Sequence, residues 1–140
     1  MSEGIKGQIY KSAGIIVRDR KLLVERSKGK QFYIAPGGSI ERDETPKLAL
    51  VRELKEEFDI EVLEDDLEEF GKFDAPAAGQ EHNTVHMQVF IVKAFIGEPV
   101  ASSEVEQIAW VKSKNEMGLP LGSVFEHEVI PRLKAQNLID

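Results

Sequence analysis

The chain has 140 residues, 41% of them hydrophobic and 31% charged, which suits one globular domain over residues 1–140 and is too apolar for general disorder. Eighteen Lys and Arg against 25 Asp and Glu leave a formal net charge of −7. That balance argues against nucleic acid or an anionic membrane as a partner, and it would repel any small polyanion unless a cation intervenes. The absence of cysteine removes disulfides and thiolate metal sites. Apolar runs such as Ala13–Val17 and Val89–Val92 are far too short to span a bilayer, and Met1–Lys11 lacks the apolar centre of a leader, so a cytoplasmic location is expected.

Two β-type runs, Ala13–Val17 and Lys21–Val24, flank Arg18-Asp19-Arg20, which reads as the tight polar turn of a hairpin. Gln31–Ala35 reads as a third short strand, closed by a turn at Pro36-Gly37-Gly38. Thr45 suits a helix N-cap and Pro46 the first helical position, where a missing N–H costs nothing. Helical periodicity then runs to about Phe58. Asp74–Thr84, with Gly79 and Asn83, reads as a flexible loop near the site. Thr84–Phe95 and Val105–Val111 alternate as strands. Ser123 followed by Glu126 is a capping-box signature for a last helix, which Pro131 kinks or restarts. No linker or repeat divides the chain. The order strands, helix, strands, helix predicts an α/β fold, a mixed sheet with helices packed on it.

Laid out at about 100° per residue, the central helix collects Leu48, Leu50, Val51, Leu54 and Phe58 on one arc and Glu53, Glu56 and Glu57 on another. Each like-charged pair at such spacing disfavours the helix by about 0.2–0.5 kcal/mol. Arg52, one turn before Glu56, offsets part of this. A hard cation such as Mg²⁺ would turn the repulsion into ligation. Taken alone, the triplet also fits a solvated acidic face.

Its surroundings narrow the choice. Gly38, five residues, Glu44, seven residues, then Arg52-Glu53-Leu54-Lys55-Glu56-Glu57-Phe58-Asp59-Ile60 resembles the Nudix box, G-x5-E-x7-R-E-U-x-E-E-x-G-U with U bulky and aliphatic. Asp59, where the family usually has Gly, is the one departure. The resemblance, to MutT-like Nudix hydrolases, implies an α/β/α sandwich with a mixed β-sheet and a catalytic loop-helix-loop. It implies that Glu53, Glu56 and Glu57 bind Mg²⁺, with Mn²⁺ as a substitute, and that the carbonyl of Gly37 or Gly38 can join them. Glu44 and Arg52 are implied to form a salt bridge holding the loop to the helix.

The implied reaction is cleavage of a nucleoside diphosphate linked to another group, with nucleoside triphosphates favoured, to release a monophosphate. The partner is then a small nucleotide, and the enzyme a monomer or homodimer. A pyrophosphatase of ADP-ribose or nucleotide sugars, and a silent nucleotide sensor, remain as alternatives. The general base in the family is either a box Glu or a Glu outside it. Glu98, Glu104 and Glu106 lie between the late strands, and Glu104 resembles the extra ligand of MutT-type members. Phe32, Tyr33, Phe73 and Trp110 are candidates to stack on a base, or are ordinary core. Arg26, Lys28 and Lys30 are candidates to meet phosphate, or form a solvated loop; Gly38 joins Arg26, Phe32 and Tyr33 on the substrate side. His82 and His86 have i, i+4 spacing, but in strand-like sequence, which weighs against a metal pair. Ala35 stands where MutT-type enzymes have a bulky residue against the purine. Leu119–Ser123 lacks an Asn or Asp to read a purine edge, so an oxidised purine is not the expected substrate.

Overall fold

Asp19 and Arg20 both adopt positive φ, 54° and 61°, the backbone of a two-residue turn whose twist matches the strands it joins. In the computed structural model, which describes residues 7–77 and 80–140, this turn closes a shorter hairpin than expected: only Val17 and Arg18 pair with Leu22 and Lys21, while Ala13–Ile15 pair within the other sheet. The start of the Met1–Lys11 stretch and Ala78-Gly79 of the expected loop lie outside the described residues. The strands are β1 (Gln8–Ile15), β2 (Val17–Arg18), β3 (Lys21–Ser27), β4 (Gly37–Ser39), β5 (Leu67–Ala77), β6 (Gln80–Val92) and β7 (Val105–Val111). Helix α1 covers Pro46–Phe58 and α2 covers Ile130–Ala135.

One sheet runs β4-β1-β6-β5 and a second runs β2-β3-β7. β1 pairs with β6 in parallel and with β4 antiparallel, so the sheet is mixed. Adjacent residues of the strands point to opposite layers. Ala13, Ile15, Leu22, Val24 and Val89 pack with Phe125, Val129 and Leu133 at the C-terminus. Ile16, Leu23, Phe90 and Val92 pack with Leu50, Leu54 and Phe58 of α1. Strands therefore lie between two helical layers, as expected of an α/β/α sandwich.

Several local expectations change. Gln31–Ala35 is not a strand; it makes only single bridges, Ile34 to Glu25 and Tyr33 to Leu121. Pro36-Gly37-Gly38 is not a simple turn, because Gly37 and Gly38 begin β4 and pair with Ala13 and Ser12. The expected loop from Asp74 is largely strand: β5 reaches Ala77 and β6 begins at Gln80. Phe73 and Ala77 alternate inward with the exposed Asp74 and Pro76, and Pro76 is tolerated because β5 is an edge. Leu48 is 43% exposed, outside the buried stripe of Ala49, Leu50, Leu54 and Phe58. Ser123 lies inside the first turn of the last helix, where the Glu126 N–H bonds to the Gly122 carbonyl, so it is not the cap. Pro131 does not break that helix. The turn before it, Phe125–Val129, widens to π-helical geometry, and the helix continues past the missing N–H.

α1 begins and ends as its sequence dictates. The Thr45 hydroxyl accepts the Leu48 N–H at 3.1 Å, and Pro46 opens the first turn. Asp59 closes it in the left-handed region, φ 56° and ψ 37°. Lys55 Nζ reaches the Asp59 carboxylate at 2.8 Å, but both side chains are exposed, so the pair adds little. Asp59→Gly is therefore expected to change stability by about 0 to +1 kcal/mol, relief of the left-handed strain being offset by unfolded-state entropy. Denaturant titration checks this. A loss above about 1 kcal/mol would show that the Lys55 pair outweighs the strain.

Candidate active site

The glycine pair brings strand and helix into contact. A Cβ on Gly37 would collide with the Ser12 carbonyl, and one on Gly38 would stand 2.5 Å from the Glu53 carboxyl. Only hydrogen at both positions lets β4 lie between β1 and the acidic face of α1. On the other side of the helix end, the Ser102 N–H bonds to the Glu57 carbonyl at 2.9 Å and the Val100 N–H to the Phe58 carbonyl at 3.1 Å. These two bonds satisfy last-turn carbonyls of α1 that the helix itself leaves open.

Arg52 holds the acidic face together. Its Nε donates to Glu44 Oε2 at 2.7 Å, and Nη2 donates to Glu44 Oε1 and to the Ser39 carbonyl, both at 3.0 Å. Nη1 donates to Glu53 Oε2 at 3.0 Å and to Glu56 Oε1 at 3.3 Å. All five N–H donors of the guanidinium are thereby engaged. Glu44 also accepts the Glu41 N–H at 2.9 Å, and its bond to Arg52 holds its carboxyl below the usual range. The salt bridge inferred between Glu44 and Arg52 is present and bidentate.

Glu57 points the other way, into the protein. Its neighbours are Glu53 and Glu25 of β3, the latter 1% exposed. Burial, then the charges of Glu25 and Glu53, pushes the Glu57 carboxyl up to about 8. Burial pushes Glu25 up to about 7, although the Ser27 hydroxyl donates to it at 3.2 Å and the charge of Lys11 pulls it back. Glu53 is also raised, by burial. The Glu53 and Glu57 carboxyls adjoin each other, and the negative charge of Glu53 adds to the upward push on Glu57. Glu57 Oε1 is buried with no hydrogen-bond partner among the described residues. A buried carboxylate oxygen with no donor is the kind of atom a cation satisfies. The donor set is all oxygen, which suits Mg²⁺ or Mn²⁺. The acidic side chains are not gathered about one point: among the described residues no three form a ready metal group, because Arg52 draws Glu53 and Glu56 to itself.

A NUDIX domain family model matches residues 10–133. The chain belongs to the Nudix hydrolase family. An 8-oxo-dGTP diphosphatase of Haemophilus influenzae is 33% identical over 109 residues, 74% of this chain and 76% of that protein. Among solved structures, the E. coli ORF135 protein superposes with a TM-score of 0.72 at 28% identity, covering 95% of each chain. A MutT from work on Aliivibrio salmonicida and Vibrio cholerae gives 0.72 at 27% identity, covering 92% of this chain and 98% of that one.

The other residues singled out from this Nudix sequence fall into separate places. Arg26 is occupied: it donates to Glu106 at 2.8 Å, Gln107 at 3.1 Å and the Lys30 carbonyl at 3.3 Å, and it lies over the Tyr33 ring. Tyr33 and Phe73 are each only 7% exposed, whereas Phe32 is 42% exposed. Trp110 is covered by Arg18 at 4.5 Å. His86 directs both ring nitrogens to Asp74 and Gln8 and stacks on Tyr10. Glu98 is paired with Arg18 and Glu106 with Arg26, while Glu104 makes no ion pair among the described residues. Glu104 lies two residues past Ser102, the residue bonded to the end of α1.

Glu25 was not anticipated. Its signal was the strand before it: Leu22, Leu23 and Val24 are apolar on both faces, so the next side chain is buried too. The raised carboxyls give this cluster a definite pH signature. A group whose folded pKa lies above its unfolded value stabilises the fold fully below the unfolded value and loses that contribution as pH rises through the folded one. For Glu25 and Glu57 the window runs from 4.5 to about 7 and about 8. Metal-free protein should therefore lose Tm across that window, and Glu57→Gln should flatten the decline. Melting curves in EDTA check this; an unchanged slope in the variant would place Glu57 in a solvated setting.

Proposed function

We propose that this Nudix hydrolase is a Mg²⁺-dependent pyrophosphohydrolase of nucleoside triphosphates, releasing a nucleoside monophosphate. The observation that carries the reading is the unpartnered Oε1 of Glu57, buried beside Glu53 and Glu25 and next to the Gly37-Gly38 strand. Glu53 and Glu57, with Glu56 and the carbonyl of Gly37 or Gly38, would hold the metal. Bound there, Mg²⁺ supplies polarisation of phosphoryl oxygens and a water of lowered pKa. Arg52 and Glu44 position the carboxylates. Glu104, which makes no ion pair among the described residues, is the candidate to accept the proton of the attacking water.

The triphosphate class is supported by the relative named an 8-oxo-dGTP diphosphatase. Base readout is a separate matter. The cleft between the sheet and the last helix is lined by Ile34, Phe73, Val85, Met87, Val124 and Phe125, with Lys11 and Ser123 as its polar side chains. Among the described residues lining it there is no amide or carboxylate to read a purine edge. Apolar walls discriminate rings weakly.

With Mg²⁺ and a panel of nucleoside triphosphates, 8-oxo-dGTP, ADP-ribose and nucleotide sugars, the expected products are monophosphate and pyrophosphate from the triphosphates. Rates should agree within about a hundredfold across bases, the scale of discrimination by apolar contact. A preference for 8-oxo-dGTP of several hundredfold, or turnover confined to ADP-ribose, would contradict this.

Glu57→Gln should lower turnover at least about a hundredfold at saturating Mg²⁺. Retention of more than about a tenth of wild-type turnover would remove Glu57 from the metal site. Glu104→Gln should cost far more than Glu98→Gln or Glu106→Gln, and equal mild effects would return the base to the box helix.

A further inference from the structure

A chain with net charge −7 and a buried acidic cluster still has to hold a polyanion on the side its carboxylates do not reach. The arginines near the site are already committed. Arg52 has all five donors engaged, and Arg26 is bound to Glu106, Gln107 and the Lys30 carbonyl. Lys11 is different. It makes no hydrogen bond or ion pair among the described residues and is half-buried; only its longer-range charge is felt by Glu25.

Its place in β1 explains why it matters. Ala13 and Ile15, on the same face of the strand, are in the core with Phe125. Lys11 is the next residue on that face toward the strand's start, at the rim of the core. It stands opposite Met87 in β6 and Ser39 in β4. Three hollows meet at it. A small one of about 20 Å³ lies against Ala35, Gly37 and Gly38. The apolar cleft between Phe73 and Phe125 has about 150 Å³. An open one of about 400 Å³ adjoins Tyr10 and Lys72. Lys11 thus separates the glycine strand that touches Glu53 from the cleft suited to a base.

We propose that Lys11 is the phosphate-anchoring residue of the substrate site, gripping the phosphates of a nucleoside triphosphate as they pass from the carboxylate cluster to the apolar cleft. This rests on the pyrophosphohydrolase reading. A lysine ammonium is a compact point charge with three donors, suited to phosphate oxygens whose position shifts along the chain. Small Ala35 keeps the space beside it open, which gives a structural reason for that residue before the glycine pair.

The test uses Lys11→Met, which keeps an unbranched apolar stem, and Lys11→Arg, which keeps the charge. kcat and KM are measured with Mg²⁺ on the triphosphate that wild type turns over fastest, together with Ki for inorganic pyrophosphate. Lys11→Met should raise KM and Ki together by about tenfold to a hundredfold, the loss expected for one charged hydrogen bond, with kcat within about threefold. Lys11→Arg should recover most of the loss. The rise of KM between about 50 and about 300 mM salt should be shallower in the Met variant, because screening then has one less charge to act on. A purely structural role would move neither Ki nor the salt dependence. If wild type is active and Lys11→Met keeps KM and Ki within about twofold, the anchoring role is overturned while the hydrolase reading stands. If wild type cleaves no triphosphate, both fall. Should the Met variant not melt cooperatively, Lys11→Gln is read by the same criteria.

Discussion

The Arg52 guanidinium joins three parts of the chain that sequence separation would otherwise leave independent. Through Glu44 it ties down the loop before α1, through the Ser39 carbonyl it ties β4, and through Glu53 and Glu56 it restrains the acidic face of the helix. With its fork fully used, no rotation of the side chain improves one bond without breaking another. Lysine could not replace it, having one nitrogen where five directed donors are needed. Loss of Arg52 would also leave Glu44 and Glu53 partly buried without compensation, the costly half of breaking an ion pair.

Neutralising one side of the acidic cluster leaves the other side exposed as a problem. Glu57 lies beyond the reach of Arg52 and shares its surroundings with Glu25 and Glu53. Without a metal the protein solves this by holding protons, which is why burial raises both Glu25 and Glu57. A divalent cation would solve it differently, by supplying charge where an oxygen has no donor. The same negative field that makes the chain a poor partner for polyanions makes it a good host for the cation that binds them.

The sequence made α1 legible almost to the residue. Thr45, Pro46 and the spacing of Leu50, Leu54 and Phe58 are local signals, and local signals set helix ends. The box fixed the family, and with it the Glu44–Arg52 bridge. What stayed hidden depends on partners far along the chain. Gly37 and Gly38 look like a turn until β1 is placed beside them. Tyr33 looks like a free aromatic until Arg26 and Gln107 cover it. The pairing of Arg26 with Glu106, 80 residues away, is likewise invisible in the sequence. Glu25 and Lys11 stayed hidden because a charged residue in a strand ordinarily marks the solvent face.

The central claim is that the buried acidic cluster is a cation site organised around Glu57. Mn²⁺ binding by metal-free protein, followed by calorimetry and by loss of the free-ion electron paramagnetic resonance signal, tests it without requiring any substrate. Saturable binding by wild type and by Glu98→Gln, and its loss or strong weakening in Glu57→Gln, is the result expected. Equal Mn²⁺ affinity in wild type and Glu57→Gln, or no saturable binding by wild type, would contradict it.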